Sequence, residues 1–195
     1  MPIKGVITLP GDKSISHRVL MLASLTDGEC LIHNISTGED VETTRKCLAV
    51  CGIKSEKYGT TIRIKGGGFK TPKTPLNCGN SGTTVRLLSG LLAGSRVTAK
   101  FIGDKSLSKR PMDRIIDPLK KMGVGIESKN GYLPISLTSQ KLCGINYSTL
   151  ISSAQVKSCI ILAGLGAFGE TQIQEKIKSR DHTEIMLKEF GAEIN

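Results

Sequence analysis

The sequence predicts an α/β (α+β) fold of three repeated β-α-β-α-β-β units, with buried central helices walled by mixed sheets. Two sets of positions carry the repeat. Arg18, Arg86 and Lys157 each lie four residues into the first helix of a unit, and Gly52, Gly123 and Gly191 each end the second. Both sets return at about 70 residues, longer than solenoid repeats and suited to three units in one globule. The third observation is apolar content. Val19-Leu20-Met21-Leu22, Leu87-Leu88-Ser89-Gly90-Leu91-Leu92 and Cys159-Ile160-Ile161-Leu162-Ala163 are apolar nearly all round, so each helix must be covered on every side.

The units run over roughly residues 10–70, 76–140 and 145–195. In the first, Val6-Ile7-Thr8-Leu9 is an extended lead-in broken by Pro10-Gly11, and a helix starts close to Ser14, whose hydroxyl serves as cap. That start leaves Lys13 just outside the first turn and sets Arg18 on the Ser14 face. Glu29 to Ile35 alternates as a strand, and Gly38-Glu39-Asp40 opens a second helix through Val41 to Cys51. Ile53 to Glu56 and Thr60 to Lys65 form a hairpin around Tyr58-Gly59. Gly66-Gly67-Gly68 follows as a flexible joint.

The second unit repeats the order: a helix over Thr83 to Ala93 with Asn and Thr at its cap, a strand over Arg96 to Ile102, and a helix over Met112 to Met122. A hairpin over Val124 to Leu137 completes it. The third has a helix from Ser152-Ser153-Ala154-Gln155 to about Ala163, a strand near Glu170 to Gln174 and a helix over His182 to Phe190. Asp181 is its expected cap, with Glu184 in a capping box. By analogy with the first unit a hairpin should follow Gly191. Only a short stretch to Asn195 does, so this unit reads as unfinished.

Composition narrows the function. Net charge is +10, from 27 Lys and Arg against 17 Asp and Glu, which suits acidic metabolites or nucleic acid. No continuous basic run is present and aromatics are only 4%, so single-strand stacking platforms are scarce. Basic residues recur instead at helix starts, where backbone amides and the helix dipole already favour an anion. The six cysteines show no Cys-x-x-Cys pair and the three histidines are scattered, so no metal site is expected. Reduced thiols point to a cytoplasmic protein. Neither a signal peptide at Met1-Pro2-Ile3-Lys4-Gly5 nor a membrane-length apolar run is seen.

Leu9-Pro10-Gly11-Asp12-Lys13-Ser14-Ile15-Ser16-His17-Arg18 closely resembles the opening motif of the 5-enolpyruvylshikimate-3-phosphate synthase family, the 3-phosphoshikimate 1-carboxyvinyltransferases. Gly79-Asn80-Ser81-Gly82-Thr83-Thr84-Val85-Arg86 matches that family's Gly-Asn-x-Gly-Thr-x-x-Arg signature. The resemblance covers essentially the whole chain but only the first half of the family's enzymes. It implies one globule of the two-domain enolpyruvyl transferase fold, with residues 1–9 belonging to the second globule.

It also implies transfer of the enolpyruvyl group of phosphoenolpyruvate to the 5-hydroxyl of shikimate 3-phosphate, without metal or organic cofactor. Lys13 would be catalytic and touch both substrates. Ser14, Arg18, Ser153, Gln155 and Arg180 would hold shikimate 3-phosphate. Asn80, Gly82, Arg110 and Gln155 would line the phosphoenolpyruvate side, where a side chain at Gly82 would crowd the inhibitor glyphosate. A second serine is common in the family where Ala154 stands. The acid/base carboxylates would come from the missing C-terminal half, the implied partner. A monomer free of nucleic acid and membrane is expected, and the isolated chain should bind weakly without turnover.

Plain readings stand beside these. Arg86 would tie neighbouring loops, the basic loop from Gly103 to Met112 would be a solvated surface, and His17 would order its loop. An RNA-binding or RNA-end-processing module of similar repeat build is the rival, suited to the positive charge.

Overall fold

The computed structural model describes residues 9–138 and 140–194. The lead-in strand expected over residues 1–9 lies, but for Leu9, outside them. The first unit contains α1 (Lys13–Leu25), β1 (Glu29–Ile32), α2 (Glu39–Val50), β2 (Lys54–Tyr58) and β3 (Thr61–Lys65). The second contains β4 (Leu76–Asn77), α3 (Gly82–Gly94), β5 (Ala99–Ile102), α4 (Asp113–Lys121), β6 (Gly125–Lys129) and β7 (Tyr132–Thr138). The third contains β8 (Asn146–Thr149), α5 (Ala154–Gly164), β9 (Gln172–Glu175) and α6 (His182–Glu189).

Sheet order carries the repeat into three dimensions. The first sheet runs β1-β3-β2, all antiparallel, and the second runs β4-β5-β7-β6 with a parallel β4–β5 pair. The third pairs β8 with β9 in parallel, as β4 pairs with β5. β4 and β8 are additions to the strands read from sequence.

The first helices form the core. Leu20 to Ser24 of α1, Leu87 to Ala93 of α3 and Val156 to Ile160 of α5 are continuously buried. α3 and α5 touch backbone to backbone: a Cβ on Gly90 would overlap the Cys159 carbonyl, and one on Gly94 would lie 2.6 Å from the Leu162 carbonyl. Only residues without a side chain fit such a seam. The second helices cover the outside, and α4 buries Ile115, Ile116 and Leu119 while Lys120 and Lys121 face solvent. Pro118 is buried inside α4 and the helix continues through it.

Two local expectations change. The Gly66 to Gly68 joint is docked at its start: Gly66 N–H donates to Gly28 O at 3.0 Å and Gly67 N–H to Ser24 O at 3.0 Å. The Asp181–Glu184 capping box does not form. Asp181 occupies the cap position without a side-chain cap bond, and Glu184 pairs with Lys157 instead. A buried charge offers more to a carboxylate than an exposed amide does.

Candidate active site

Three helix starts meet at one end of the globule. Along α3 and α5, Thr83 and Arg86 lie opposite Gln155, Gly90 opposite Cys159, and Gly94 opposite Leu162. The register advances the same way on both, so the helices are parallel and their N-termini share a side. α1 joins them there through Arg18, which reaches Ser158 of α5.

The cap of α1 is Asp12, not the expected hydroxyl: its Oδ1 accepts from Ile15 N–H at 2.8 Å. Asp and Ser are comparable caps, and the Pro10-Gly11 break lets the cap fall two residues earlier. Lys13 therefore sits in the first turn rather than outside it. Its ammonium pairs with Asp40 at the start of α2 and remains 56% exposed, open to the mouth. Ser14 Oγ accepts from Arg180 Nη1 at 3.3 Å. Arg18 is only 5% exposed. It donates to Thr183 Oγ1 at 2.7 Å, Ser158 Oγ at 2.9 Å and Ser14 O at 3.0 Å, one bond from each nitrogen. Each terminal nitrogen keeps a second proton for a ligand.

The mouth of α3 is likewise capped by another residue than expected. Ser81 Oγ, rather than Asn80 or Thr83, accepts from Thr84 N–H at 3.2 Å. Asn80 is thereby free to accept from Arg110 Nη2 at 2.6 Å. Gly82 lies under two guanidiniums, for a Cβ there would stand 2.7 Å from Arg86 Nη1 and 3.5 Å from Arg110 Nη1. Arg86 Nη1 donates to Gln155 Oε1 at 2.9 Å and Nη2 to Pro111 O at 3.3 Å, the loop-tying role read from sequence. Gln155 Nε2 in turn donates to Thr83 Oγ1 at 2.9 Å.

Ser153 caps α5, accepting from Val156 N–H at 3.5 Å. A cleft of about 360 Å³ opens beside it, lined by Ser152, Ser153, Ala154, Gln155, Ser179 and Arg180. Cations crowd this end of the molecule. Burial, then the charges of Arg110 and Arg114, hold Arg86 below the usual arginine range; burial, then Arg180, do the same to Arg18. An arriving anion relieves that repulsion.

A buried hydroxyl chain escaped sequence reading. His17 Nδ1 meets Thr44 Oγ1 at 2.7 Å, Thr44 meets Thr84 Oγ1 at 2.7 Å, and Thr84 donates to Ser81 Oγ at 2.7 Å. It ties α1 and the middle of α2 to the start of α3. His17, expected to order its own loop, makes its bond to α2 instead. Among the described residues no group of three or more His, Cys, Asp or Glu could hold a metal. Nor is any helix there long and apolar enough to cross a membrane, and the six cysteines are free.

The family profile described as EPSP synthase (3-phosphoshikimate 1-carboxyvinyltransferase) matches residues 1–195. The chain belongs to the EPSP synthase family. A 3-phosphoshikimate 1-carboxyvinyltransferase of Ruthia magnifica is 51% identical over 99% of this chain and 45% of its own length. One from Solibacter usitatus is 47% identical over 98% of this chain and 46% of its own. The EPSP synthase of Acinetobacter baumannii, solved at 2.37 Å, superposes with a TM-score of 0.94 at 43% identity, over 98% of this chain and 44% of that one. The chain thus spans about half the length of the EPSP synthases it matches.

Proposed function

We propose that this chain is the substrate-binding globule of a 3-phosphoshikimate 1-carboxyvinyltransferase, acting with the second half of that enzyme. The observation that supports it is the unbroken line of polar groups across the three helix mouths, from Ser14 through Arg180 and the cleft to Gln155, Arg86 and Thr83, and on to Arg110 and Asn80 over Gly82. Shikimate 3-phosphate occupies the α1–α5 side, held by Ser14, Arg18, Ser153, Gln155 and Arg180. Phosphoenolpyruvate occupies the α3 side, against Lys13, Asn80, Gly82, Arg110 and Gln155. Planar guanidiniums suit its carboxylate and phosphate.

The 5-hydroxyl gives up its proton and adds to C2 of phosphoenolpyruvate while C3 gains a proton and becomes methyl; loss of a proton from that methyl then expels phosphate and restores the carbon–carbon double bond. Lys13 supplies positive charge where phosphate charge grows, and Asp40 holds its ammonium in place. Proton transfers need carboxylates placed on the other face, which the second half brings when it closes. The chain alone therefore binds and does not turn over, as a cytoplasmic monomer. Calorimetric titration with shikimate 3-phosphate tests this, with a phosphate-release assay beside it. Saturable binding without release is expected; near-native release by the chain alone, or no binding at all, overturns the reading. The RNA-binding rival gains nothing from the relatives found, and a steeply salt-dependent affinity for RNA would revive it.

A further inference from the structure

We infer that Lys157 is a positioning residue: its ammonium clamps both ends of the loop over residues 176–181 and so sets where Ser179 and Arg180 meet the cleft. Lys157 lies in α5 and is only 6% exposed. Its Nζ stands 2.8 Å from Glu175 Oε2, at the last residue of β9, and 2.6 Å from Glu184 Oε1, in the first turn of α6. The loop leaves from one carboxylate and returns at the other. Glu175 Oε2 also accepts from Ser179 N–H at 3.3 Å, so the same anchor reaches the middle of the loop.

Beyond the exposed bond from Arg180 to Ser14, the loop has little else to hold it inward. Ile177 is 72% exposed and the Lys178 side chain 81% exposed. Inside the cluster, Glu175 Oε1, Glu184 Oε2 and Ser179 Oγ are buried and unpartnered. Two carboxylates this poorly satisfied stay in place only while a cation stands between them, and removing it leaves uncompensated buried charge. Burial works against the Lys157 charge, yet bonds from Glu175 and Glu184 raise its pKa overall. The clamp is therefore charged at neutral pH, and Ser179 and Arg180 inherit its position.

The inference rests on the reading of this cleft as the phosphate end of the substrate site, and the test separates the two. Lys157→Met, of similar length without charge, is compared with the unaltered chain for binding of shikimate 3-phosphate and of shikimate, the same ring without its phosphate. A tenfold or greater loss for the phosphorylated ligand with less than a twofold change for shikimate is expected. Backbone amide exchange at Ser179 and Arg180 should accelerate tenfold or more while the α3 amides keep their rates. Where Lys157→Met does not fold, Glu184→Gln, which releases only the α6 end, should give a threefold selective loss and the same local exchange. Equal losses for both ligands, or wild-type affinity together with wild-type exchange, overturn the clamp. Absence of ligand binding by the unaltered chain sinks the functional reading instead, and the exchange data then decide the clamp alone.

Discussion

Arg180 donates a hydrogen bond to the Ser14 hydroxyl at 3.3 Å across 166 residues of chain, joining the mouth of the first helix to the loop before the last. The third unit thus reaches the helix mouth that the first unit opens.

Replacing Arg180 by Gln should leave stability within about 0.5 kcal/mol, as for an exposed side chain. Affinity for shikimate 3-phosphate should fall about 10- to 100-fold, the worth of a charge-assisted bond. Titration calorimetry beside a urea melt checks both. Unchanged affinity would remove Arg180 from the site.

Gly82→Ala acts on Arg86 before it acts on any ligand. The added methyl would stand 2.7 Å from Arg86 Nη1, so the guanidinium must swing away from Gln155 Oε1. The movement is cheap, because the tip of a long side chain yields easily. A stability change under about 1 kcal/mol is expected, with weakened phosphoenolpyruvate and glyphosate binding in the full-length enzyme. A crystal structure of the variant with Arg86 still on Gln155 would contradict it.

The helix seam is far less forgiving. Gly90→Ala pushes a methyl into the Cys159 carbonyl, a backbone atom that cannot step aside. Destabilisation of at least about 1–3 kcal/mol, as for core overpacking, should appear in urea unfolding. A variant as stable as the parent would show that α3 and α5 can separate.

Acid should weaken the fold through His17. Burial pushes its pKa down to about 4; the charges of Lys13 and Arg18 add to that, while Asp40 opposes it. The unfolded chain binds this proton from about pH 6.5 downward and the folded chain does not until about pH 4. Stability is thus full above pH 6.5 and is lost as pH falls through that window, by about 3 kcal/mol at most. Urea midpoints at pH 7 and pH 4.5 measure the loss, and His17→Asn should flatten it. An imidazole that titrates near pH 6.5 by NMR would refute the assignment.

The framework of the fold was legible because its signals are local. Apolar runs, positive-φ glycines at Gly52, Gly123 and Gly191, and paired strands recur within each unit. β4 and β8 were not legible: β4, two residues long, is too short to show alternation, and β8 (Asn146–Thr149) carries Tyr147 as its one large apolar residue. At the α1 start, Asp12 and Ser14 carry equal capping chemistry, and only the backbone decides between them. Partners distant in sequence were invisible. Glu184 reads as a capping-box residue until Lys157 is beside it, and nothing in the chain announces that Thr44 and Thr84 will be joined by a hydrogen bond.

The glycine seam has a consequence for selectivity. Because α3 meets α5 through main-chain atoms, the span between their N-terminal ends is a fixed gauge, set by the backbone and not adjustable by rotamers. On the proposed function, a diacid whose charged groups are spaced differently would be turned away by its length, even where each group alone would be welcome.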